Sequence, residues 1–159
     1  MPTQQGDLSL LNDPIAQQLL HSQIPARVAY VWTDGTPRVV PIWFHWNGEQ
    51  LVLGSPVDAP KVAALRQNPK VAVTIDDNSW PHKVLLIRGI AAVEIVDGIV
   101  PEYAASAARY FGAEQGEAWV NQAKGLMPQM ARVKIKPEWV AILDFEQRFP
   151  NALERAMGM

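Results

Sequence analysis

The chain of 159 residues contains no cysteine, which excludes disulfides, thiol nucleophiles and cysteine-ligated metals and fits a reducing compartment. It carries almost no excess of charge, since 14 Lys and Arg against 16 Asp and Glu leave a formal −2. That balance gives no electrostatic footprint for nucleic acid or for an anionic membrane. No apolar run approaches the ~20 residues that cross a bilayer. The opening MPTQQGDLSLLNDP lacks the basic start and apolar block of a signal peptide. A soluble, cytoplasmic protein is the expectation.

Familiar catalytic signatures are missing as well. The ten glycines never fall as G-x-G-x-x-G, and none opens a phosphate loop ending in Gly-Lys-Ser/Thr. His21, His45 and His82 stand far apart without a His-x-x-x-His pair, so no metal site is expected. Ser9, Ser22, Ser55, Ser79 and Ser106 lack the G-x-S-x-G elbow of a hydrolase. If this chain is an enzyme, a bound cofactor carries the chemistry.

What is present reads as one globular domain over residues 1–159, 48% hydrophobic, with a loose arm over 1–8 and a weakly patterned tail over 146–159. Thirteen prolines and ten glycines imply many short elements. Asp13-Pro14 caps a helix to about Leu20. Val28–Thr33 is a strand ended by the turn Asp34-Gly35. Arg38–Trp46 and Gln50–Gly54 read as a hairpin about Asn47-Gly48, a dipeptide whose turn needs positive φ at both residues. A short helix follows over Pro60–Gln67, with Pro60 at its first position and Asn68-Pro69 closing it. Lys70–Asp76 is a strand. Lys83–Val96 is a long one, and Gly89 at its middle marks a bulge.

Tyr103, Ala107, Tyr110 and Phe111 share one helical face over Pro101–Phe111, and a further helix over Glu114–Lys124 stops at Gly125. The cleanest alternation sets apolar Ala131, Val133 and Ile135 against Arg132, Lys134 and Lys136. Trp139–Phe145 is the last strand. Six or seven strands, mostly joined by hairpins, predict a small antiparallel barrel with peripheral helices rather than a parallel sheet. Its expected core includes Val28, Tyr30, Val52, Val71, Val73, Leu86, Val133, Ile135 and Ile142.

A few residues point toward a site. Pro41 interrupts RVVPIWFHW and cannot donate to a sheet ladder, so its strand is an edge there. Val39, Val40 and Ile42 then either present main-chain groups to a flat polar ring or belong to a plain edge. Lys61 begins the short helix, where it either pairs with a phosphate favoured by the helix amides or is a solvated surface lysine. Ser55 precedes it and offers a hydroxyl to the same anion, or is an ordinary turn residue. Six tryptophans suit core and interface filling. Trp80, between a polar turn and Pro81, suits a subunit interface or a ligand ring. Arg88, inside an apolar strand, has a partner or faces outward.

In order along the chain, five segments are Gly35-x-Pro37-Arg38-x-Val40-Pro41-x-Trp43-Phe44, Trp46-Asn47-Gly48-Glu49, Ser55-x-x-Asp58-x-x-Lys61, Leu65-x-x-Asn68-Pro69-x-Val71-Ala72 and Val84-x-Leu86-x-Arg88-Gly89-x-Ala91. Together they resemble the pyridoxamine 5′-phosphate oxidase-like family of flavin-binding split β-barrels, over about Ile24 to Phe145. The resemblance implies a split antiparallel barrel of about six strands and a homodimer with flavin mononucleotide (FMN) sites between the subunits. It also implies that the strand about Pro41 meets the isoalloxazine ring through main-chain atoms, and that the segment Ser55 to Lys61 holds the ribityl phosphate. The cofactor-binding residues carried over are Val39, Val40, Pro41, Ile42, Ser55 and Lys61, with Trp80 and Lys83 reaching the flavin of the other subunit.

The vitamin-biosynthetic members carry a C-terminal arginine-rich substrate motif, and Lys136-Pro137-Glu138-Trp139 does not match it. The resemblance is therefore nearer to general-stress-like or deazaflavin-using relatives. It implies a flavoprotein oxidoreductase passing hydride between a reduced donor and a small-molecule substrate. The alternatives are a deazaflavin-dependent reductase and a flavin-binding carrier, store or sensor without turnover. A deazaflavin's long anionic tail calls for several basic residues. Near Lys61 there are only Arg66 and Lys70, and five residues of helix turn Arg66 away, which favours FMN.

Overall fold

The computed structural model describes residues 4–159. Seven strands form one sheet: β1 (Ala26–Val31), β2 (Pro37–Ile42), β3 (His45–Trp46), β4 (Leu51–Pro56), β5 (Lys70–Asp76), β6 (Val84–Asp97) and β7 (Gln129–Leu143). Every pairing is antiparallel, in the order β2-β1-β5-β6-β7-β4-β3. Around it lie α1 (Pro14–Leu20), α2 (Pro60–Gln67), α3 (Pro101–Phe111), α4 (Ala113–Leu126) and α5 (Asn151–Met157). The expected class, mainly β with short peripheral helices, is the one observed.

The sheet order places β2 and β3 at opposite edges, yet only Trp43 and Phe44 lie between them in the chain. Three residue steps, Ile42 to His45, reach at most about 11 Å. The sheet must therefore curl until its edges approach, which makes a barrel with one seam. The expected single strand Arg38–Trp46 is thus two strands serving opposite edges. β2 pairs with β1, and only His45 and Trp46 pair with β4. Local β propensity runs through all nine residues, but partner choice changes at Trp43.

Inside the barrel Phe44, Leu51, Leu53, Ile75, Leu85, Ile87, Val133, Ile135 and Ile142 are almost wholly buried. Eight of the nine expected core residues are buried, and Leu86 is the exception. In β6 the inward phase belongs to Leu85 and Ile87, so Leu86 faces out and is only half-buried. Alternation through an all-apolar run does not reveal its phase, and a one-residue error exchanges the faces.

Three other expectations change. Strand β7 is continuous through Pro137, so Trp139–Phe145 is not a separate strand. Its register shifts opposite Arg88 and Gly89, where the expected bulge lies. The turn between β3 and β4 centres on Gly48 and Glu49. Asn47 N–H donates to the Gln50 carbonyl at 3.1 Å, and only Gly48 takes a positive φ, +98°. The Asn47 carboxamide oxygen instead accepts from the N–H groups of Glu49 and Gln50, at 2.9 and 2.7 Å. Finally, Gly125 lies within α4 rather than ending it.

Residues 1–3 of the expected N-terminal arm lie outside the described residues. Beyond them the chain is not loose. Gly6 N–H donates to the Val140 carbonyl at 2.7 Å, and the Gln5 side chain bonds both main-chain groups of Ile142. The tail contains α5, a short helix with no buried residue.

Candidate functional site

Strand β2 determines which main-chain groups are free. Trp32 N–H donates to the Thr36 carbonyl at 2.8 Å, which makes Thr36 and every second residue after it the hydrogen-bonded partners of β1. Arg38, Val40 and Ile42 therefore spend their main-chain groups on β1. Pro37, Val39 and Pro41 turn theirs outward, and both prolines fall where a missing N–H costs nothing. Because β2 is the sheet edge, Val39 offers a free N–H and C=O, with its side chain 64% exposed. Val40 and Ile42 instead pack against the core. Of the residues expected to present main-chain donors, only Val39 is placed to do so.

Pro41 and Ile42 border a cleft of about 410 Å³, completed by Pro25, Trp43, Gly54, Tyr103 and Trp119. Gly54 on β4 is required there by close approach. A Cβ at this position would meet Tyr103 Cβ at 2.8 Å. Gly54, Val52 and Pro56 thus face α3, while Ser55 shares the inward face of Leu51 and Leu53.

Ser55 is 1% exposed, and its hydroxyl is buried without a hydrogen-bond partner. An orphaned buried hydroxyl costs about 1–3 kcal/mol. As placed, it does not line the cleft. Ser55→Ala is expected to leave the melting temperature of the ligand-free protein unchanged or raised. It is expected to weaken flavin binding only if the hydroxyl swings to the ligand. Thermal melts and a flavin titration of the same variant separate the two effects.

Lys61 occupies the first turn of α2, whose N-cap residue Ala59 supplies no side-chain hydrogen bond. Ala59 N–H donates to the Pro56 carbonyl and Val62 N–H to the Ala59 carbonyl, and Pro60 has no N–H, so among these leading amides the Lys61 N–H is the one left open to an anion. Among the described residues no carboxylate or carbonyl pairs with the Lys61 ammonium, which is half-buried. Burial alone holds its pKa below the ordinary lysine value. Its burial, rather than the want of a partner, sets it apart from exposed lysines such as Lys70 and Lys136. Arg66, on the same helix, is exposed.

Trp80 and Lys83 lie elsewhere. Strand β6 begins at Val84, opposite Leu143, and Val96 near its far end faces Met130, which also faces Pro56. Along β6 the Trp80–Lys83 end and the Ser55–Lys61 end are thus separated by twelve residues of strand, a path of about 40 Å. One protomer does not bring them together. Trp80 is 72% exposed, with its ring edge-on to His82 and tilted on Phe145. Lys83 donates to Gln18 Oε1 at 3.1 Å. Arg88 faces outward with its guanidinium 3.8 Å from the Trp139 ring centroid.

Sequence reasoning missed two contributors. Trp119 joins the cleft wall through a 2.7 Å hydrogen bond from its Nε1 to the Tyr103 hydroxyl. Arg109 of α3 donates to the carbonyls of Ser22 and Phe44. Nothing local in the sequence announces either contact, since their partners lie 16 to 87 residues away.

The architecture is that of a split antiparallel β-barrel with helices around it. The chain belongs to the pyridoxamine 5′-phosphate oxidase family, which matches residues 13–144. Among solved structures it is similar to a Listeria innocua protein provisionally assigned as a pyridoxamine 5′-phosphate oxidase. The two are 27% identical over 84% of this chain and 98% of that one, with a TM-score of 0.58. It is also similar to an F420 reductase, 24% identical over 79% and 94% of the two chains, with a TM-score of 0.59. A conserved hypothetical protein of Mycobacterium tuberculosis is 20% identical over 91% of each chain, with a TM-score of 0.67. None of the curated proteins matches the sequence. Among the described residues, no helix is long and apolar enough to cross a membrane, and no cluster of His, Asp or Glu could hold a metal ion.

Proposed function

We propose that the chain binds FMN and works as a flavin-dependent oxidoreductase, passing hydride between a reduced donor and a small acceptor. The observation that carries this reading is the half-buried, unpaired Lys61 ammonium beside its own open N–H at the start of α2. A desolvated cation without a counter-charge is unfavourable unless an anion completes it, and a ribityl phosphate supplies one. Val39, at the free edge of β2, offers one donor and one acceptor to the polar rim of a flat ring. The bound flavin supplies the redox chemistry. The chain supplies the anion seat, the edge donor and the apolar wall.

The active unit in this reading is a homodimer with flavin sites between subunits. Trp80 and Lys83 are far from Lys61 along their own protomer, so any part they play at a flavin is in the partner's site. The exposed Trp80 ring suits burial against a second copy. Sedimentation at micromolar concentration is expected to give a dimer, and the absorption spectrum of FMN-reconstituted protein a bound-flavin band. A stable monomer would overturn the shared site. Protein that ignores FMN but takes up a deazaflavin would replace the cofactor.

A further inference from the structure

The cleft beside Pro41 has an unusual lining. Pro25, Pro41, Ile42, Trp43, Gly54, Tyr103 and Trp119 carry no charged group between them. Its wall is an aromatic assembly in which Trp43 stacks on Tyr110 at 5.2 Å and meets Tyr103 at 5.8 Å and Trp119 at 6.5 Å between ring centroids. Polarity in the side chains lining the cleft is confined to the tip of Tyr103 and the indole N–H groups of Trp43 and Trp119. The Trp119 N–H is already committed, because it donates to the Tyr103 hydroxyl. The hydroxyl thereby accepts one bond, and among the described residues its own proton has no acceptor. The cleft therefore presents flat apolar faces, one free O–H donor on Tyr103 and the indole N–H of Trp43. Neither Lys61 nor Val39 lines it, while Pro41 and Ile42 do, which sets the cleft beside the proposed flavin seat.

We propose that the cleft is the seat of an uncharged, flat, unsaturated substrate that presents a carbonyl oxygen, of quinone or enone type, with the Tyr103 hydroxyl donating to that oxygen. The complementarity is chemical. An anionic or cationic ligand would lose its hydration with no counter-charge to replace it. A planar neutral ring gains stacking area from Trp43 and Trp119. A saturated ligand without an acceptor would leave the Tyr103 proton unpaired. The assignment of this ligand as the acceptor substrate rests on the flavin reading, whereas its binding does not.

The test uses 1,4-naphthoquinone as probe and its sulfonated analogue as the charged comparison, followed by quenching of tryptophan fluorescence. The absence of cysteine in the chain removes thiol addition as a competing reaction of the probe. Wild-type protein is expected to bind the neutral quinone and to reject the sulfonate. Tyr103→Phe keeps the ring and is expected to fold normally by thermal melt. It should bind the neutral quinone about two- to tenfold more weakly, the loss of one neutral hydrogen bond. Its FMN affinity should be unchanged.

Equal affinity for neutral and sulfonated probes would overturn the proposal, as would equal quinone affinity in wild type and Tyr103→Phe. Saturation with FMN is the deciding arm. Quinone binding that persists places the two molecules side by side. Quinone binding abolished by FMN would make the cleft the flavin's own ring seat and end the proposal while leaving the flavin reading intact. Quinone binding in a protein that takes up no FMN would do the reverse, sinking the flavin reading and keeping the cleft.

Discussion

Replacing Lys61 with alanine is expected to weaken FMN binding about ten- to hundredfold and to leave riboflavin binding unchanged. A charge-assisted hydrogen bond is worth ~1.5–3 kcal/mol, and each ~1.4 kcal/mol is a factor of ten in affinity. Riboflavin shares the ring and ribityl chain but lacks the phosphate, so it makes no use of the ammonium. The pair of titrations thus isolates one contact. Equal FMN affinity in the two proteins would reduce Lys61 to an ordinary lysine and remove the anion seat.

The same side chain makes binding and stability respond oppositely to pH. Burial lowers the Lys61 pKa, so between the folded value and the ordinary lysine value the unfolded chain holds more protons. Stability therefore rises with pH through that window, as the cost of the desolvated ammonium is relieved. Phosphate binding needs the ammonium, so FMN affinity falls as pH rises through the same window. Lys61→Met keeps the buried stem and removes the charge. It is expected to melt at or above the wild-type temperature near neutrality, bind FMN weakly, and lose the alkaline response of FMN affinity.

How much of this could be read in the sequence depended on how local each signal was. The strand of Ala131, Val133 and Ile135 was legible because alternation and burial are one statement when a strand has a wet face. The short helix after β4 was legible from Pro60 and Asn68-Pro69, which fix its ends by backbone sterics. The edge at Pro41 was legible because a residue without an N–H has few places in a sheet. The seam was not. Arg38–Trp46 is uniformly β-prone, and its division between two sheet edges is decided by partners elsewhere in the barrel.

The site divided in the same way. Lys61 was visible as a candidate from its place in the helix, but its lack of a counter-charge is a property of the folded neighbourhood. Val40 and Ile42 shared a motif with Val39, yet strand parity turns them inward. The motif could not report parity without the register fixed by the Trp32–Thr36 bond.

Arg109 provides the second large effect, on the fold rather than the ligand. Its Nε donates to the Ser22 carbonyl at 3.0 Å, and its terminal nitrogen donates to the Phe44 carbonyl and to the Tyr110 hydroxyl. The guanidinium lies 4.8 Å from the ring centroids of Phe44 and Tyr110. Among the described residues no carboxylate pairs with it, so the cation is satisfied by main-chain dipoles and aromatic faces. Burial pushes the Tyr110 phenol up; it stays protonated and donates to the Ile24 carbonyl at 3.1 Å. Phe44 is one of the two residues that carry the chain from β2 to β3, so the Arg109 side chain ties α3 to the barrel seam and to the segment entering β1.

Arg109→Met keeps an apolar stem over Phe44 and removes the fork. Two charge-assisted bonds at ~1.5–3 kcal/mol each give an expected loss of about 3 kcal/mol or more, and for a chain of this size a fall in melting temperature of about 6–12 °C. Arg109→Lys should recover only part of this, because a single ammonium cannot reach two divergent carbonyls with planar geometry. Urea and thermal unfolding of the three proteins measure the series. A methionine variant as stable as wild type would show that the seam is held by the packing of Phe44 alone.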